Sequence, residues 1–210
     1  MDFTGKRVLV VGTGVSGIAA IRLLAAKGAK PVVLEGNEKA DREQVVSRIP
    51  GGIGYDLIIG NLPEEVMDTL DLAVLSPGVP TDLPFVIKLQ DKKIPVWGEI
   101  ELAYACGSGR LAAITGTNGK TTTTALTGAI LREYYDSVFV VGNIGLPYTE
   151  YALEMKDSSV TVAEVSSFQL ETIHTFQPEV SAILNITPDH LNRHHTMECY
   201  IDTKARIAEN

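Results

Sequence analysis

Two successive α/β units, each built on a parallel sheet, are what this 210-residue sequence predicts. Three observations carry the expectation. Short apolar runs recur along the chain and alternate with helix-compatible stretches, the pattern of strands joined by crossover helices. A glycine-rich turn, Gly12-Thr-Gly14-Val-Ser-Gly17, follows the first apolar run. A second glycine turn, ending in Gly119-Lys120-Thr121, follows a later run and restarts the same order of strand, turn and helix.

Taken in order, residues 7–11 read as a buried strand, 18–26 as a helix ended by Gly28, and 31–35 as a second strand. Runs at 57–59 and 72–75 give two more strands, with helical stretches over 64–70 and 85–92 and another helix ending near Cys106. Residues 107–110, Gly-Ser-Gly-Arg, are the expected linker, because a new buried strand opens at Leu111. The division is thus residues 1–106, a Rossmann-like parallel-sheet domain, and residues 107–210, a partial P-loop NTPase-like α/β domain. The second unit should hold strands at 111–114, 138–141, 160–163 and 180–184, a helix to about residue 133 and a last helix over 197–209. Four strands are few for such a unit, so it is read as incomplete.

Composition narrows the function. With 45% hydrophobic and 21% charged residues the chain can build a sizeable core. A formal net charge of −8 argues against a nucleic-acid partner or an anionic membrane surface, so any anion site must be local. Cys106 and Cys199 match no metal or redox spacing and are expected as reduced thiols. The apolar run at 8–11 is too short for a signal segment or a membrane span, and the expected location is the cytoplasm.

The strongest chemical signal is Gly116-Thr117-Asn118-Gly119-Lys120-Thr121-Thr122 between a buried strand and a helix. Backbone N–H groups of such a loop face an anion, the helix N-terminus adds positive potential, Lys120 neutralises outer phosphates from an exposed loop, and a threonine hydroxyl reaches Mg²⁺. The strict spacing would need glycine at 114, where isoleucine stands, so this is a shortened variant. The first turn fits G-x-G-x-x-G, with Glu35 placed 18 residues after Gly17 at the end of the second strand. Several readings stand: a nicotinamide dinucleotide site, hence an oxidoreductase; a site for another diphosphate held through backbone N–H groups, in an enzyme or in a noncatalytic nucleotide-binding module; or a turn needed only for close packing of helix on strand. Ser76-Pro77-Gly78 ends a strand on the same rim. Glu164 ends an apolar strand, where a carboxylate can hold Mg²⁺, and Ser166 to Gln169 has the form of a capping box. His190 and His194 have the i,i+4 spacing of a zinc pair but lack a third ligand, which favours a single histidine on magnesium or phosphate. Lys204, read from the residues alone, is an exposed helix lysine.

Taken together, Gly116 to Thr122, Gly142-Asn-Ile-Gly-Leu-Pro147, Glu164-Val-Ser-Ser-Phe-Gln-Leu-Glu171 and Leu184-Asn-Ile-Thr-Pro-Asp-His-Leu-Asn-Arg193 resemble the Mur ligases over the whole chain. The Ser-Ser-Phe-Gln-Leu-Glu and Gly-Asn-Ile-Gly-Leu-Pro runs are similar to those of the branch that adds D-glutamate. The resemblance implies ATP-dependent amide formation through an acyl phosphate, with ATP and Mg²⁺ as cofactors and UDP-N-acetylmuramoyl-L-alanine, D-glutamate and ATP as substrates of a monomeric enzyme. By motif, Gly14, Val15, Ser16, Glu35, Ser76, Pro77 and Gly78 would meet the uridine nucleotide. Asn143, Ser166 and His190 would position the muramoyl-alanine part, and Gly116 to Thr122 would hold ATP. Thr121, Glu164, His190 and a carbamylated Lys204 would organise the metal ions, which reverses the exposed-lysine reading. Glu35 stands where the family often has aspartate, Gly36 where a hydroxyl residue is frequent, and Asn192 in place of an aspartate. The resemblance also implies a third, amino-acid-binding domain beyond these residues, so the chain alone should bind substrate without completing ligation.

Overall fold

The computed structural model describes all residues 1–210. In the first half, β1 (Arg7–Val11), α1 (Val15–Ala26), β2 (Lys30–Glu35), α2 (Arg42–Arg48), β3 (Asp56–Ile59), α3 (Glu64–Met67), β4 (Leu72–Leu75), α4 (Pro84–Asp91) and β5 (Val96–Gly98) form a five-stranded sheet of order β3-β2-β1-β4-β5. Every pairing is parallel. Strands β1 and β4 are buried along most of their length, as helices on both faces require, and they read as continuous Val/Leu/Ala runs for that reason. The order reverses direction between β1 and β4, so a crevice opens beyond their carboxyl ends. The glycine turn at 12–17 and the Ser76-Pro77-Gly78 segment both leave from that point.

The second half runs β6 (Arg110–Thr115), α6 (Lys120–Leu131), β7 (Val138–Gly142), α7 (Tyr148–Tyr151), β8 (Val160–Glu164), α8 (Ser167–Leu170), β9 (Val180–Ile183), α9 (Leu191–His194) and α10 (Met197–Ala205), closed by a 3-10 turn at Arg206–Ala208. Its parallel sheet has the order β7-β8-β6-β9. The four expected strands and two long helices are present. Sequence periodicity missed α2, β5, α7, α8 and α9, elements of three to seven residues that are too short to show a period. The helix expected over 64–70 stops at Met67, and the one expected from 18 begins at Val15. The last helix gives way to the 3-10 turn after Ala205, and the linker is shortened because Arg110 already opens β6.

What joins the halves is α5 (Glu99–Cys106), a helix buried on two sides. Leu102 and Cys106 enter the core that holds Val8, Ile21 and Leu24, whereas Ile100 and Ala103 enter the core that holds Leu111, Val141 and Phe176. Two acids on this helix are also buried. Glu101 is fully enclosed, and its Oε1 accepts from the Thr175 N–H at 2.7 Å and Thr175 Oγ1 at 2.6 Å. Its Oε2 accepts from the N–H groups of His174 and Phe176 at 2.9 and 3.0 Å. Glu99 Oε1 accepts from the Thr149 N–H at 2.6 Å and Thr149 Oγ1 at 2.8 Å. Burial pushes the Glu99 carboxyl above the ordinary carboxylate range, against the pull of those bonds.

Replacing Glu101 by Gln puts an amide NH₂ against donors that now share two carboxylate oxygens. Hydrogen bonds to a buried charged group are worth roughly 1.5–3 kcal/mol, and a stranded donor adds a comparable penalty. Glu101→Gln should therefore lose roughly 3 kcal/mol and lower the melting temperature by about 6–12 °C for a chain of this size. A thermal melt within about 2 °C of the parent chain would remove Glu101 from the seam.

Candidate functional site

The first-half crevice is shaped by backbone. Gly17 packs so closely that a Cβ there would lie 1.9 Å from the Gly12 carbonyl oxygen, so α1 can start against the turn only with glycine. The N–H groups of Val15, Ser16 and Gly17 in the first turn of α1 make no hydrogen bond within the protein and point outward as anion donors. A cleft of about 440 Å³ lies over them, lined also by Ser76, Pro77 and Gly78 and, from the second half, by Gly142 and Asn143. A larger pocket of about 650 Å³ adjoins it at the ends of β1, β2 and β3, with Glu35, Gly36 and Asn61 among apolar walls from Leu62, Val79, Leu83 and Phe85. Glu35 is held by Thr13, whose hydroxyl donates to Oε2, and by the Asn37 N–H at 3.1 Å on Oε1. The Ser76 hydroxyl is buried and has no partner.

In the second half, β6 runs into the phosphate-type loop, and Gly119 (φ 81°) turns the chain into α6. The N–H groups of Gly119, Lys120, Thr121 and Thr122 are unbonded and converge at the helix start. Lys120 is the first residue of α6 and half-buried, not exposed on the loop, because its ammonium folds back onto the carbonyls of Gly116 and Thr117 at 3.0 and 2.9 Å. The loop is braced from the segment after β9. Asn185 exchanges side-chain bonds with the Asn118 backbone at 2.9 and 3.0 Å, and Thr117 Oγ1 meets Thr187 and Tyr200.

Lys204 is 1% exposed, which overturns the reading of it as a surface lysine. Periodicity does not mark it, since α10 mixes charged and apolar residues with little bias; only the family resemblance singled it out. Its Nζ donates to the Gly116 carbonyl at 2.9 Å, the same oxygen that Lys120 uses, and it lies 4.8 Å from the Tyr200 ring centroid. Burial first, and the Lys120 charge second, depress its pKa to about 8. Neither lysine pairs with an acid, so the pair is a local cationic spot on an acidic chain.

Glu164 ends β8 beside both other active strand ends, in register with Ile114 of β6 and Gly142 of β7. It is 1% exposed; Oε1 accepts from Asn143 Nδ2 at 2.8 Å, and Oε2 is buried with no partner. An orphaned carboxylate oxygen at the end of a strand next to a phosphate-type loop fits a hard cation. Ser166 caps α8 through the expected box with Gln169. His190 is half-exposed in the left-handed region at φ 51°, with Asp189 3.5 Å away and the Phe168 ring at 4.9 Å. His194, its partner in spacing, is instead buried against Ser167 Oγ at 2.9 Å, and burial lowers its pKa. The structure thus brings Asn143 to Glu164 and Lys120 to Lys204, while no direct bond joins His190 to either pair. Sequence reading gave no role to Asn185 and Thr187, although both lie in the Leu184–Arg193 run that carries the resemblance, and none to Tyr200.

Comparison with known proteins agrees with this layout. Residues 6–98 match the family described as Mur ligase MurD-like, N-terminal domain, and residues 114–210 match the Mur ligase middle domain. The chain is 58% identical over 210 residues to the UDP-N-acetylmuramoylalanine--D-glutamate ligases of Lachnoclostridium phytofermentans and Lachnospira eligens. It is 46% identical over 211 residues to that of Clostridioides difficile. All of this chain is covered in each case, and it spans about half the length of these relatives, 46–47%. Among solved structures, a UDP-N-acetylmuramate:L-alanyl-gamma-D-glutamyl-meso-diaminopimelate ligase from Neisseria meningitides aligns with TM-score 0.59 at 14% identity, over 97% of this chain and 68% of that one. A UDP-N-acetylmuramate-alanine ligase from Thermotoga maritima aligns with TM-score 0.56 at 22% identity, over 98% and 47%. These likenesses show the fold. Two parallel-sheet units, two glycine turns and the matches to both domains together show that the chain belongs to the Mur ligase family.

Proposed function

We propose that this chain supplies the uridine-nucleotide site and the ATP site of a cytoplasmic ligase that joins D-glutamate to UDP-N-acetylmuramoyl-L-alanine in peptidoglycan precursor synthesis. The observation that carries this reading is the double duty of Asn143, which lines the first-half cleft and donates to Glu164 in the second half. A ligand lying on the glycine turn therefore points its other end at the carboxylate beside the phosphate-type loop. A nicotinamide-dependent oxidoreductase would account for the first turn but gives Glu164 and the second loop no task.

In this reading the diphosphate lies on the N–H groups of Gly14, Val15 and Ser16, with Ser76, Pro77 and Gly78 opposite. The uracil and ribose enter the larger pocket near Glu35, and the muramoyl-alanine end reaches Asn143, Ser166 and His190. The ATP phosphates take the free N–H groups of Gly119 to Thr122, and Lys120 exchanges its two loop carbonyls for phosphate oxygens. Thr121, Glu164, His190 and, once carbamylated, Lys204 would hold Mg²⁺, which supplies neutralising charge along the phosphates. The alanine carboxylate attacks the γ-phosphorus and ADP departs; the amine of D-glutamate then attacks the acyl carbon and inorganic phosphate departs. The contribution of these residues is alignment and charge neutralisation, since two anions must meet in the first step.

Three outcomes are expected. Gly14 has open space around the position of a Cβ, so Gly14→Val should fold normally and weaken UDP-N-acetylmuramoyl-L-alanine binding by about tenfold or more, read by calorimetry. Equal affinity in both chains would take the turn out of the site. In a full-length ligase carrying this sequence, Lys120→Ala should cut D-glutamate ligation by roughly a thousandfold in a folded protein. Near-normal turnover would refute the phosphate role.

The third concerns Lys204. Only a neutral amine adds CO₂, and a pKa of about 8 makes that form abundant as pH rises through 8. Carbamate formation from ¹³C-bicarbonate, followed by NMR, should therefore climb near pH 8, and Lys120→Ala should move the midpoint upward by removing a neighbouring cation. A midpoint near the ordinary lysine value in the parent chain would contradict it.

A further inference from the structure

The rim shared by the two first-half cavities is gripped from the second half. Gly78 and Val79 line the larger pocket, and Ser76, Pro77 and Gly78 line the cleft. The Val79 carbonyl accepts from Arg193 Nη2 at 3.1 Å, and the same nitrogen donates to Glu171 Oε2 at 2.6 Å while Nε donates to Oε1 at 3.1 Å. Thr81 Oγ1 adds a bond to Glu171 Oε2 at 3.3 Å. The two charged side chains are 15% and 14% exposed, so this fork is largely removed from water. The guanidinium also lies 5.0 Å from the centroid of Phe168, the ring against which His190 packs.

The helix that carries Arg193 needs such a grip. It is four residues long and is flanked by two non-glycine residues with positive φ, His190 at 51° and His195 at 64°. Such conformations persist only where tertiary contacts hold them. The contacts here are the Arg193 fork and the burial of His194 on Ser167.

The geometry points to Arg193 and Glu171 as a positioning pair that couples occupancy of the nucleotide cleft to the orientation of His190. The inference rests on the reading of that cleft as the uridine-nucleotide site. A ligand that shifts the Ser76 to Val79 rim displaces the Val79 carbonyl, the fork carries the displacement to α9, and His190 at its start turns with it. A planar bidentate group transmits orientation in this way, whereas an ammonium point charge does not.

The test labels the histidine ring carbons of the 210-residue chain with ¹³C and titrates with UDP, a probe for the first half. The His190 resonance is assigned by loss of signal in His190→Gln. In the parent chain UDP should shift the His190 resonance. In Arg193→Lys and in Glu171→Gln, UDP should bind within about threefold of the parent affinity while the His190 shift falls to less than about a third. Thr81→Val, which removes one hydroxyl and no charge, folds with the fork in place and should give an intermediate shift. An unchanged His190 response in Arg193→Lys, or a silent His190 in a parent chain that binds UDP, overturns the proposal. A parent chain that does not bind UDP overturns the nucleotide reading and the coupling with it, and this outcome is read from the binding isotherm rather than from the resonance.

Discussion

Burial of Glu101 between the two halves is the interaction on which the rest of the structure depends. A carboxylate with no exposure, placed on α5 and bonded to three successive backbone N–H groups at 174–176, fixes the second half against the first at a point far from solvent. Such a group strongly penalises any arrangement in which its donors are withdrawn, because the charge would be left buried and unpaired. Glu99 on Thr149, Arg22 on Glu150, and the packing of α1 against α7 add further ties along the same seam. Apolar contact alone would let two surfaces slide; directional bonds to a buried acid set one register.

That register matters because the site is divided. Each half places a glycine turn at the carboxyl end of its own sheet, a position dictated by parallel strands and right-handed crossovers. Neither turn reaches the other. The second half lines the cleft above the first turn through Gln169 and the loop from Gly142 to Pro147, and this loop immediately precedes α7, the element that Glu99 anchors. Gly142 itself cannot carry a side chain, since a Cβ would fall 2.3 Å from the Glu164 carbonyl oxygen. The seam, the loop and the strand-end carboxylate are therefore one mechanical unit.

Much of this was legible in the residues. Strands read well because parallel sheets covered on both faces need long apolar runs, and the two glycine turns stand out because backbone approach to a phosphate and tight helix packing admit little else. The short helices α7 and α9 were not legible, and α8 showed only through its Ser166–Gln169 capping box, since four residues show no period and their stability comes from tertiary contact. Glu99 and Glu101 on α5 look solvated in sequence, and only Thr149 and the loop at 174–176, which bond to them, explain their burial. Lys204 misleads for the same reason. Its position in α10 gives no hint that the loop after β6, about 90 residues earlier, closes over it. Within the site, motif resemblance pointed to Asn143 and Glu164, but it did not foretell that the two are bonded to each other.

The chain also carries several costs along this divided site. Glu164 Oε2 has no partner, Ser76 Oγ has none, Lys120 and Lys204 crowd one carbonyl oxygen without an acid, and His190 is held at positive φ. Each is unfavourable in isolation, and a core selected only for stability would have removed them. In the proposed reading a ligand answers most of them: a cation for the carboxylate, phosphates for the lysines and the unbonded N–H groups. Glu164 and Lys204 are already desolvated, and groups so placed need little reorganisation when such a ligand arrives, which is the condition under which electrostatic stabilisation is strongest. The stability sacrificed around Gly116 and Glu164 is sustained by the buried seam, and it is the seam's rigidity that keeps these groups from relaxing onto one another.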